Sequence, residues 1–337
     1  MKNRFDGRLR GIPAGALHGL LRRLSAIESF RGRWESAPKP GTRILRRVRD
    51  SVASRSAAAS CRIARERRPG AEPGYADALR AVFDGYASMP PTEDRLLALH
   101  AAVFRQLPEE RARAGRYKSA GLHERGDRDF LSEPVALRSP GPLLIPAQME
   151  TLSAWLPSRL DGGEFHPLLV VAAYLLEFLA IRPFADGNGR VGRLLTNLLI
   201  LRCGHAYLPY GSLDAAIHAR RDEHHLALRR SQASRNLPRP DISPWLFAFL
   251  DTLSFQQSEA NEVIARLPGE HALSANQAAV MDLAAKEGEV TNRGVASALG
   301  LPRETAKQTL NRLVSLGALR RLGAGRATRY RPREGEP

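Results

Sequence analysis

The sequence is poor in cysteine. Its two cysteines, Cys61 and Cys203, lie far apart and lack the close spacing of metal-ligand pairs. This scarcity excludes a disulfide-stapled secreted fold and a cysteine zinc site from the classes to consider. It favours a protein that works in a reduced, intracellular compartment.

The chain also lacks an apolar run long enough to cross a membrane. The most apolar stretch starts at His166, holds about 16 residues and contains Glu177, whereas a spanning helix needs roughly 20 apolar residues. We therefore predict a buried core helix and no membrane partner. The basic amino terminus has no continuous apolar core and no small-residue cleavage signal, which argues against secretion. The expected location is the cytoplasm, with an arginine-rich transit peptide as the alternative.

Basic residues outnumber acidic residues at the two ends of the chain. The formal net charge is +16, of which about +13 falls in residues 1–70 and about +5 in residues 273–337, so the middle is near neutral. A basic end is typical of either a solvated surface or a nucleic-acid footprint. Charge alone does not separate these two alternatives.

Apolar residues at helical spacing are abundant along the chain. The pattern predicts a mainly α fold with a helical amino-terminal region at 1–110, a core domain at 111–264 and a third domain at 273–333. Residues 111–148 are rich in Gly, Pro and charge, which predicts a loop with a short hairpin. Within the core domain the predicted helices lie near 147–157, 166–180, 188–203, 212–233 and 243–258.

The carboxy-terminal segment has a different pattern. Three short helical stretches are followed by a basic hairpin, which predicts a winged helix-turn-helix. We expect DNA contacts from Arg303 and Lys307 on its third helix and from Arg326 and Arg329 in the wing. The alternative is a module for dimerisation or protein docking.

One loop carries a dense set of groups suited to phosphate. They are Asp186, Gly187, Asn188, Gly189, Arg190 and Arg193. The glycines would open a helix, whose free N–H groups and partial positive charge attract an anion. Arg190 and Arg193 lie about one helical turn apart and can reach the same anion, while Asp186 is a hard oxygen ligand suited to magnesium. The plainer alternative is a helix cap with surface arginines.

The full stretch "RPFADGNGRVGR", residues 182–193, resembles the signature loop of the Fic family, His-Pro-Phe-x-Asp/Glu-Gly-Asn-Gly-Arg-x-x-Arg. Only the first position departs from that pattern. The apolar stretch before the loop, the helical stretch after it and the winged tail extend the resemblance over most of the chain. The resemblance implies a Fic-type helical bundle with a short β-hairpin flap, followed by a winged helix-turn-helix domain.

The resemblance also implies an activity and cofactors. Fic proteins usually transfer AMP from ATP to a Ser, Thr or Tyr hydroxyl of a target protein. Asp186 would bind magnesium, the turn from Gly187 to Arg190 would hold the phosphates of ATP or a related nucleotide, and Arg193 would hold the terminal phosphate. Residues 139–146 resemble the flap on which the target docks as an added strand. A homodimer is a further expectation.

Arg182 stands where active relatives carry the histidine that takes the proton of the attacking hydroxyl. Arginine stays protonated in proteins, so it cannot be that base. Loss of a positioned base costs about two to four orders of magnitude in rate. We therefore expect AMP transfer to be lost or weakened. His224 and His225, where relatives usually carry tyrosines, are candidate substitutes, although the plainer interpretation leaves one facing solvent and the other packed.

Many relatives carry an inhibitory helix with the pattern Ser/Thr-x-x-x-Glu-Gly/Asn, whose glutamate pairs with the second loop arginine. The matching stretch, near residues 56–65, has Ser60 but Ala64 at the glutamate position. A competing placement uses Glu28. With the first alignment, Arg193 is expected to be free for a terminal phosphate.

The leading hypothesis is a Fic-fold protein that binds ATP and magnesium and has an impaired AMP transferase activity. Two alternatives remain open. One is a DNA-binding transcriptional regulator whose Fic domain senses nucleotide, and the other is a working enzyme with a substitute base.

Overall fold

The computed structural model divides the chain into two compact units. The first comprises residues 1–36 and 47–264, and the second comprises residues 37–46 and 265–337. Residues on both sides of the predicted boundary at 110 belong to the first unit. The structure describes residues 4–37, 41–119, 140–266, 274–315, 317–323, 325 and 328–332.

Helices make up nearly all the regular structure described in the first unit. They are α1 (Arg4–Arg10), α2 (Ala14–Ser36), α3 (Thr42–Ala64), α4 (Ala71–Gly85), α5 (Glu93–Val103), α6 (Ile145–Leu160), α7 (Pro167–Ile181), α8 (Asn188–Arg202), α9 (Leu213–Ala219), α10 (Arg221–Ala233) and α11 (Ser243–Arg266). In the part of the chain that the structure describes, no helix is both long and apolar enough to span a bilayer.

Helices α7 and α8 form the centre of the first unit. Helix α7 is apolar on all sides except at the buried Glu177, as expected of a helix that is covered by its neighbours. Helices α6 and α10 pack on α7, and α4 and α5 pack on α8. Trp245 of α11 donates its indole N–H to the carbonyl of Ala172 in α7, at 2.7 Å. The short connection from α7 to α8 is therefore held by a rigid frame.

The ends of the central helices are fixed by local chemistry. The side chain of His166 caps α7 by accepting a hydrogen bond from the Leu168 N–H. At the other end Arg182 adopts a left-handed conformation, with φ 50° and ψ 62°, which stops the helix. The helix predicted at 212–233 is interrupted at Arg220, where φ is −117°, and so forms α9 and α10.

The hairpin predicted at 139–146 is wrong for the residues that the structure describes. Pro142–Leu144 form a turn of 3₁₀ helix, and α6 begins at Ile145. Pro142 and Pro146 lack the N–H that a strand ladder needs, whereas proline suits the first turn of a helix. Ser139 lies outside the described residues.

Besides the first residues of α3 and the last of α11, the described residues of the second unit form three helices and a small sheet. They are α12 (Ala275–Glu287), α13 (Asn292–Ala298), α14 (Arg303–Ser315), β1 (Leu319–Leu322) and β2 (Arg329–Pro332). The two strands pair antiparallel, with Arg321 opposite Tyr330, and Val290 bridges to Tyr330. Ser274 and Gln277 form a reciprocal capping box at the start of α12. A separate apolar core, which includes Leu310 and Tyr330, lies among these elements.

Candidate nucleotide site

The side chain of Asn188 closes the turn between α7 and α8 by two hydrogen bonds to the backbone. The Asn188 amide accepts from the Phe184 N–H at 3.0 Å and donates to the Phe184 carbonyl at 2.9 Å. The Phe184 ring is fully buried and stacks on His100 at 3.8 Å between ring centroids. Asn188 therefore shapes the turn from within the protein, and its amide groups are already paired.

His100 of α5 supports the same turn through a hydrogen bond to its backbone. The Gly115 N–H donates to His100 Nδ1 at 2.8 Å, so the ring proton lies on Nε2, which donates to the Asp186 carbonyl at 3.2 Å. Burial lowers the pKa of His100 to about 4, which keeps the ring neutral near pH 7. Its role is structural support of the turn.

Gly187 is required at its position for two reasons. Its φ of 78° is left-handed, and an added Cβ would lie 2.7 Å from the Phe104 ring. The guanidinium of Arg190 lies over the same ring, 4.6 Å from its centroid. Arg190 is only 1% exposed, so this arginine is part of the interior.

The carboxylate of Asp186, the predicted magnesium ligand, is surrounded by cations. Its Oδ1 accepts from the Gly187 N–H at 2.6 Å. Its Oδ2 lies 3.3 Å from Arg190 and 3.3 Å from Arg68, which comes from the connection between α3 and α4. Asp186 keeps 22% of its side chain exposed. A bound cation would compete with both guanidinium groups for this carboxylate.

Arg68 is the centre of an ion-pair cluster that we name the Arg68 cluster, formed by Glu66, Arg68, Glu110, Asp186 and Arg190. The Arg68 guanidinium lies 2.5 Å from Glu66 and 2.6 Å from Glu110, and Glu66 lies 3.4 Å from Arg190. Burial alone would raise the pKa of Glu66, but hydrogen bonds from Arg68 and the charge of Arg190 lower it to about 2.

Arg193 is not free, which corrects the prediction made from the inhibitory motif. Its guanidinium donates to Asp214 of α9 at 2.9 Å and to the Ser60 hydroxyl at 2.7 Å. Asp214 is fully buried and also accepts from the Tyr75 hydroxyl at 2.8 Å. Burial raises the pKa of Asp214, against the influence of Arg193. A buried aspartate thus engages the arginine that lacks a partner glutamate.

The stretch that aligns with the inhibitory motif brings its glutamate to Arg190. Helix α3 ends at Ala64, and Arg65 turns the chain with φ of 48°. The next residue, Glu66, then lies 3.4 Å from Arg190. Glu28, the competing placement, instead pairs with Arg31 at 3.0 Å and lies 3.4 Å from His166.

A mostly apolar cavity opens beside Arg182 and the amino end of α8, and α7 to α11 form its walls. Its polar lining side chains are Arg182, Asn188, Arg193, Thr196, His224, Arg229, Gln232 and Thr252. The structure therefore brings Arg182 and Arg193 to one cavity. Asp186 and Arg190 do not line this cavity. They pair with each other in the Arg68 cluster.

The two histidines of α10 are both buried, so the prediction that one faces solvent is wrong. Each is 8% exposed, and His224 packs edge-on to Trp245 at 5.0 Å. Burial lowers the pKa of His224 to about 4 and, with the charge of nearby groups, that of His225 to about 3. Only His224 lines the cavity.

Comparison with known proteins identifies the segment that contains the turn. The Fic/DOC family model matches residues 90–200. This segment is a Fic/DOC family domain. The chain is 34% identical to the protein adenylyltransferase Fic of Nematostella vectensis over 114 residues, which are 34% of this chain and 23% of that protein. It is 39% identical to the protein of the same name from Aedes aegypti over 66 residues, 20% of this chain and 13% of that protein. The chain thus spans less than a quarter of these relatives.

Solved structures with the same fold cover more of the chain. A Fic family protein from Desulfovibrio desulfuricans has a TM-score of 0.54 and 25% identity, over 94% of this chain and 97% of that one. A Fic domain containing signaling protein from Bacteroides thetaiotaomicron has a TM-score of 0.52 and 18% identity, over 70% of this chain and 98% of that one. The second likeness concerns the fold alone.

Asp186, which pairs with Arg190, lies inside the Fic domain, but three other side chains that engage Arg190 and Arg193 lie outside it. Glu66 and Ser60 precede residue 90, and Asp214 follows residue 200. The sequence reading missed Glu66, Arg68 and Asp214. The run "RERR" at 65–68 gave no signal for the first two, because charges of mixed sign are typical of a solvated surface. Asp214, two residues after a helix-capping Ser212, carried no signal either.

The candidate DNA contacts in the second unit differ in how their charges are paired within the protein. Arg303 is exposed at the start of α14, and exposed Lys307 lies 3.6 Å from Glu304. Arg329 in β2 lies 3.4 Å from Glu289. Arg326 lies outside the described residues.

Proposed function

We propose that the first unit binds ATP with magnesium at the turn between α7 and α8, and that it transfers AMP only slowly. The observation that carries this proposal is the meeting of Arg182, Arg193 and the amino end of α8 at one cavity. A helix amino end attracts phosphate through its free N–H groups. The likeness of the Fic domain to proteins named adenylyltransferases supports a nucleotide as the ligand.

The nucleotide base would occupy the apolar part of the cavity. His224 and Gln232 are both more than 90% buried there. Within the described residues, His224 Nδ1 and Gln232 Nε2 have no hydrogen-bond partner. Buried polar atoms are normally paired, so a ligand with a polar edge suits these two atoms. A neutral imidazole and an amide can pair with the donors and acceptors on the edge of a purine.

Magnesium would be held by Asp186 together with phosphate oxygens. This ion commonly uses one or two carboxylates and the phosphates of its substrate. Among the described residues, no group of three or more His, Cys, Asp or Glu side chains could hold a metal. Bound magnesium would neutralise part of the phosphate charge. Arg68 and Arg190 would give up part of their contact with Asp186 when the ion binds.

Slow transfer follows from the missing base. AMP transfer joins a hydroxyl oxygen to the α-phosphorus, breaks the bond to the β-phosphate and releases pyrophosphate, so the hydroxyl proton must be accepted. Arg182 stays charged and cannot accept it. His224 faces the same cavity, but a pKa of about 4 makes it a weak base near pH 7. Positioning and charge stabilisation by the arginines would sustain a residual rate.

Calorimetric titration of ATP with magnesium tests the binding step. We expect wild-type protein to bind, Asp186→Asn to lose the magnesium dependence, and Gln232→Leu to bind more weakly at an unchanged magnesium dependence. A wild-type protein that gives no heat of binding at millimolar ATP contradicts the proposal.

Pyrophosphate release tests the chemical step. Arg182→His should raise the rate by about two to four orders of magnitude, because it restores a proton acceptor at the first loop position. Arg229→His, which places a histidine elsewhere on the same cavity, is the matched control and should change the rate little. Equal rates for wild type and Arg182→His would remove the proposed cause of slow transfer.

A second candidate function, DNA binding by a transcriptional regulator, is favoured by the second unit. Its three helices followed by a two-stranded antiparallel sheet support a winged helix-turn-helix, with exposed cations at the start of α14. The double variant Arg303→Ala, Lys307→Ala should weaken a salt-dependent shift of DNA fragments. The control Lys286→Ala, Arg312→Ala removes the same charge from other exposed positions. An equal loss of the DNA shift in both variants would mean that net charge binds the DNA and that α14 offers no specific docking surface.

A further inference from the structure

A second cavity of the first unit is separate from the one beside Arg182. It has a volume of about 330 Å³ and is lined by Arg4, Arg8, Pro140, Gln148, Arg235 and Pro240. That volume lies at the low end of the roughly 300–1,000 Å³ of small-molecule sites. The two cavities have no lining residue in common. Three of the six side chains are guanidinium groups, which distinguishes this cavity from an ordinary surface depression.

Helix α1 is anchored firmly enough to place two of these arginines. The Phe5 ring packs on Trp155 at 5.4 Å between centroids. Asp6 accepts from the Trp155 indole at 2.8 Å and from the Arg159 guanidinium at 2.7 Å. Arg4 and Arg8 are four residues apart and therefore lie on one face of the anchored helix.

The third arginine comes from the turn after α10. The Ser234 hydroxyl donates to a carbonyl at 2.9 Å and accepts from the Asp241 N–H at 3.1 Å, which fixes the turn. The next residue, Arg235, pairs with Glu177 of α7 at 3.1 Å. The cavity is thus assembled from elements that are distant in sequence and rigidly held.

The charges at this cavity are not balanced by the described residues. Arg8 and Arg235 both pair with Glu177, which is 2% exposed, and we find no other carboxylate paired with the three arginines within the described ranges. Burial and the charges of Arg235 and Arg4 lower the pKa of Arg8 to about 10. Three guanidinium groups and one carboxylate leave two positive charges.

We propose that the arginine cavity lined by Arg4, Arg8 and Arg235 is a binding site for a phosphate dianion, either inorganic phosphate or the phosphate of a small ester. A dianion neutralises the two remaining charges. Guanidinium groups from two different elements suit a tetrahedral group with several outward oxygens, because each can take a forked hydrogen bond. Gln148 supplies an amide at the wall. This site is independent of the nucleotide proposal, since it uses none of the loop residues.

Titration of inorganic phosphate into the full chain, followed by calorimetry and by the thermal unfolding midpoint, tests the site. Arg4→Glu is the variant of choice, because Arg4 is exposed, and its reversal makes the cavity neutral without stripping Glu177 of its two partners. We expect phosphate affinity to fall by roughly tenfold to a hundredfold, the range given by one charge-assisted hydrogen bond. Arg22→Glu, an exposed position on α2, is the matched control and should bind phosphate as wild type does.

Further arms separate the ligands. A small phosphate ester that binds more tightly than inorganic phosphate, with the same dependence on Arg4, identifies the ester as the source of the dianion. Succinate that binds as tightly as phosphate would overturn the preference for a tetrahedral dianion. Equal phosphate affinity in wild type and Arg4→Glu, or no binding by wild type at millimolar phosphate, would overturn the site itself.

Discussion

The two groups of arginines in the first unit differ in how their charge is balanced. Around the turn, Arg68, Arg190 and Arg193 share five carboxylates, which belong to Glu66, Glu109, Glu110, Asp186 and Asp214. In the arginine cavity, Glu177 is the one carboxylate that the described residues pair with the three arginines, and it contacts Arg8 and Arg235. A count of arginines therefore does not tell how strongly a site attracts an anion.

The difference has a consequence for nucleotide binding. A phosphate that approaches the turn meets arginines whose charges are already paired with internal carboxylates, so the gain is the difference between two ion pairs. A phosphate that approaches the arginine cavity meets uncompensated charge. We expect nucleotide affinity at the turn to depend on how easily Asp214 and the Arg68 cluster release their arginines.

The largest expected effect concerns the buried pair of Arg193 and Asp214. Arg193→Met would leave the Asp214 carboxylate inside the protein without its cation. Removal of one partner of a buried ion pair typically costs about 3–5 kcal/mol in the free energy of unfolding. Urea unfolding followed by circular dichroism measures the change.

The double variant Arg193→Met, Asp214→Asn is the control for that loss. It removes both charges, so most of the lost stability should return. A single variant within about 1 kcal/mol of wild type would mean that the pair contributes little, and the contrast between the compensated turn and the arginine cavity would lose its energetic basis.

A smaller effect is expected for the Arg68 cluster. Arg68→Ala removes the cation that holds Glu66, Glu110 and Asp186 together. Without that competing cation, Asp186 should bind magnesium, in the absence of nucleotide, at least about tenfold more tightly, because a like charge near the ion is gone. Magnesium titration by calorimetry measures this. Arg67→Ala is the matched control, since Arg67 is an exposed neighbour, and an equal gain in both variants would refute a specific role for Arg68.

Much of the helical fold could be predicted from the sequence because apolar periodicity and capping residues act locally. Helix α8 begins at Asn188 as predicted, and α7 is buried as its apolar run indicates. The partners of Arg193 could not be predicted, because Asp214 and Ser60 reach it from elements far along the chain. The flap at 139–146 was expected from the family resemblance and was wrong for the described residues, because the prolines of that stretch suit a helix start.

The smallest effect is a dependence of stability on pH that belongs to Glu66. Its pKa falls from an ordinary 4.5 to about 2, through hydrogen bonds and charge that outweigh burial. A carboxylate with a depressed pKa contributes stability that is fully present above its ordinary pKa and is lost as the pH falls from about 4.5 toward 2.

In urea unfolding between pH 7 and pH 3, the stability advantage of wild type over Glu66→Gln should therefore be constant above about pH 5 and shrink below it. Glu150→Gln, an exposed carboxylate on α6, is the control and should show no such convergence. If the advantage over Glu66→Gln stays level down to pH 3, the carboxylate of Glu66 is not held by Arg68 and Arg190 in solution, and the balance of charge at the turn must come from the other acids alone.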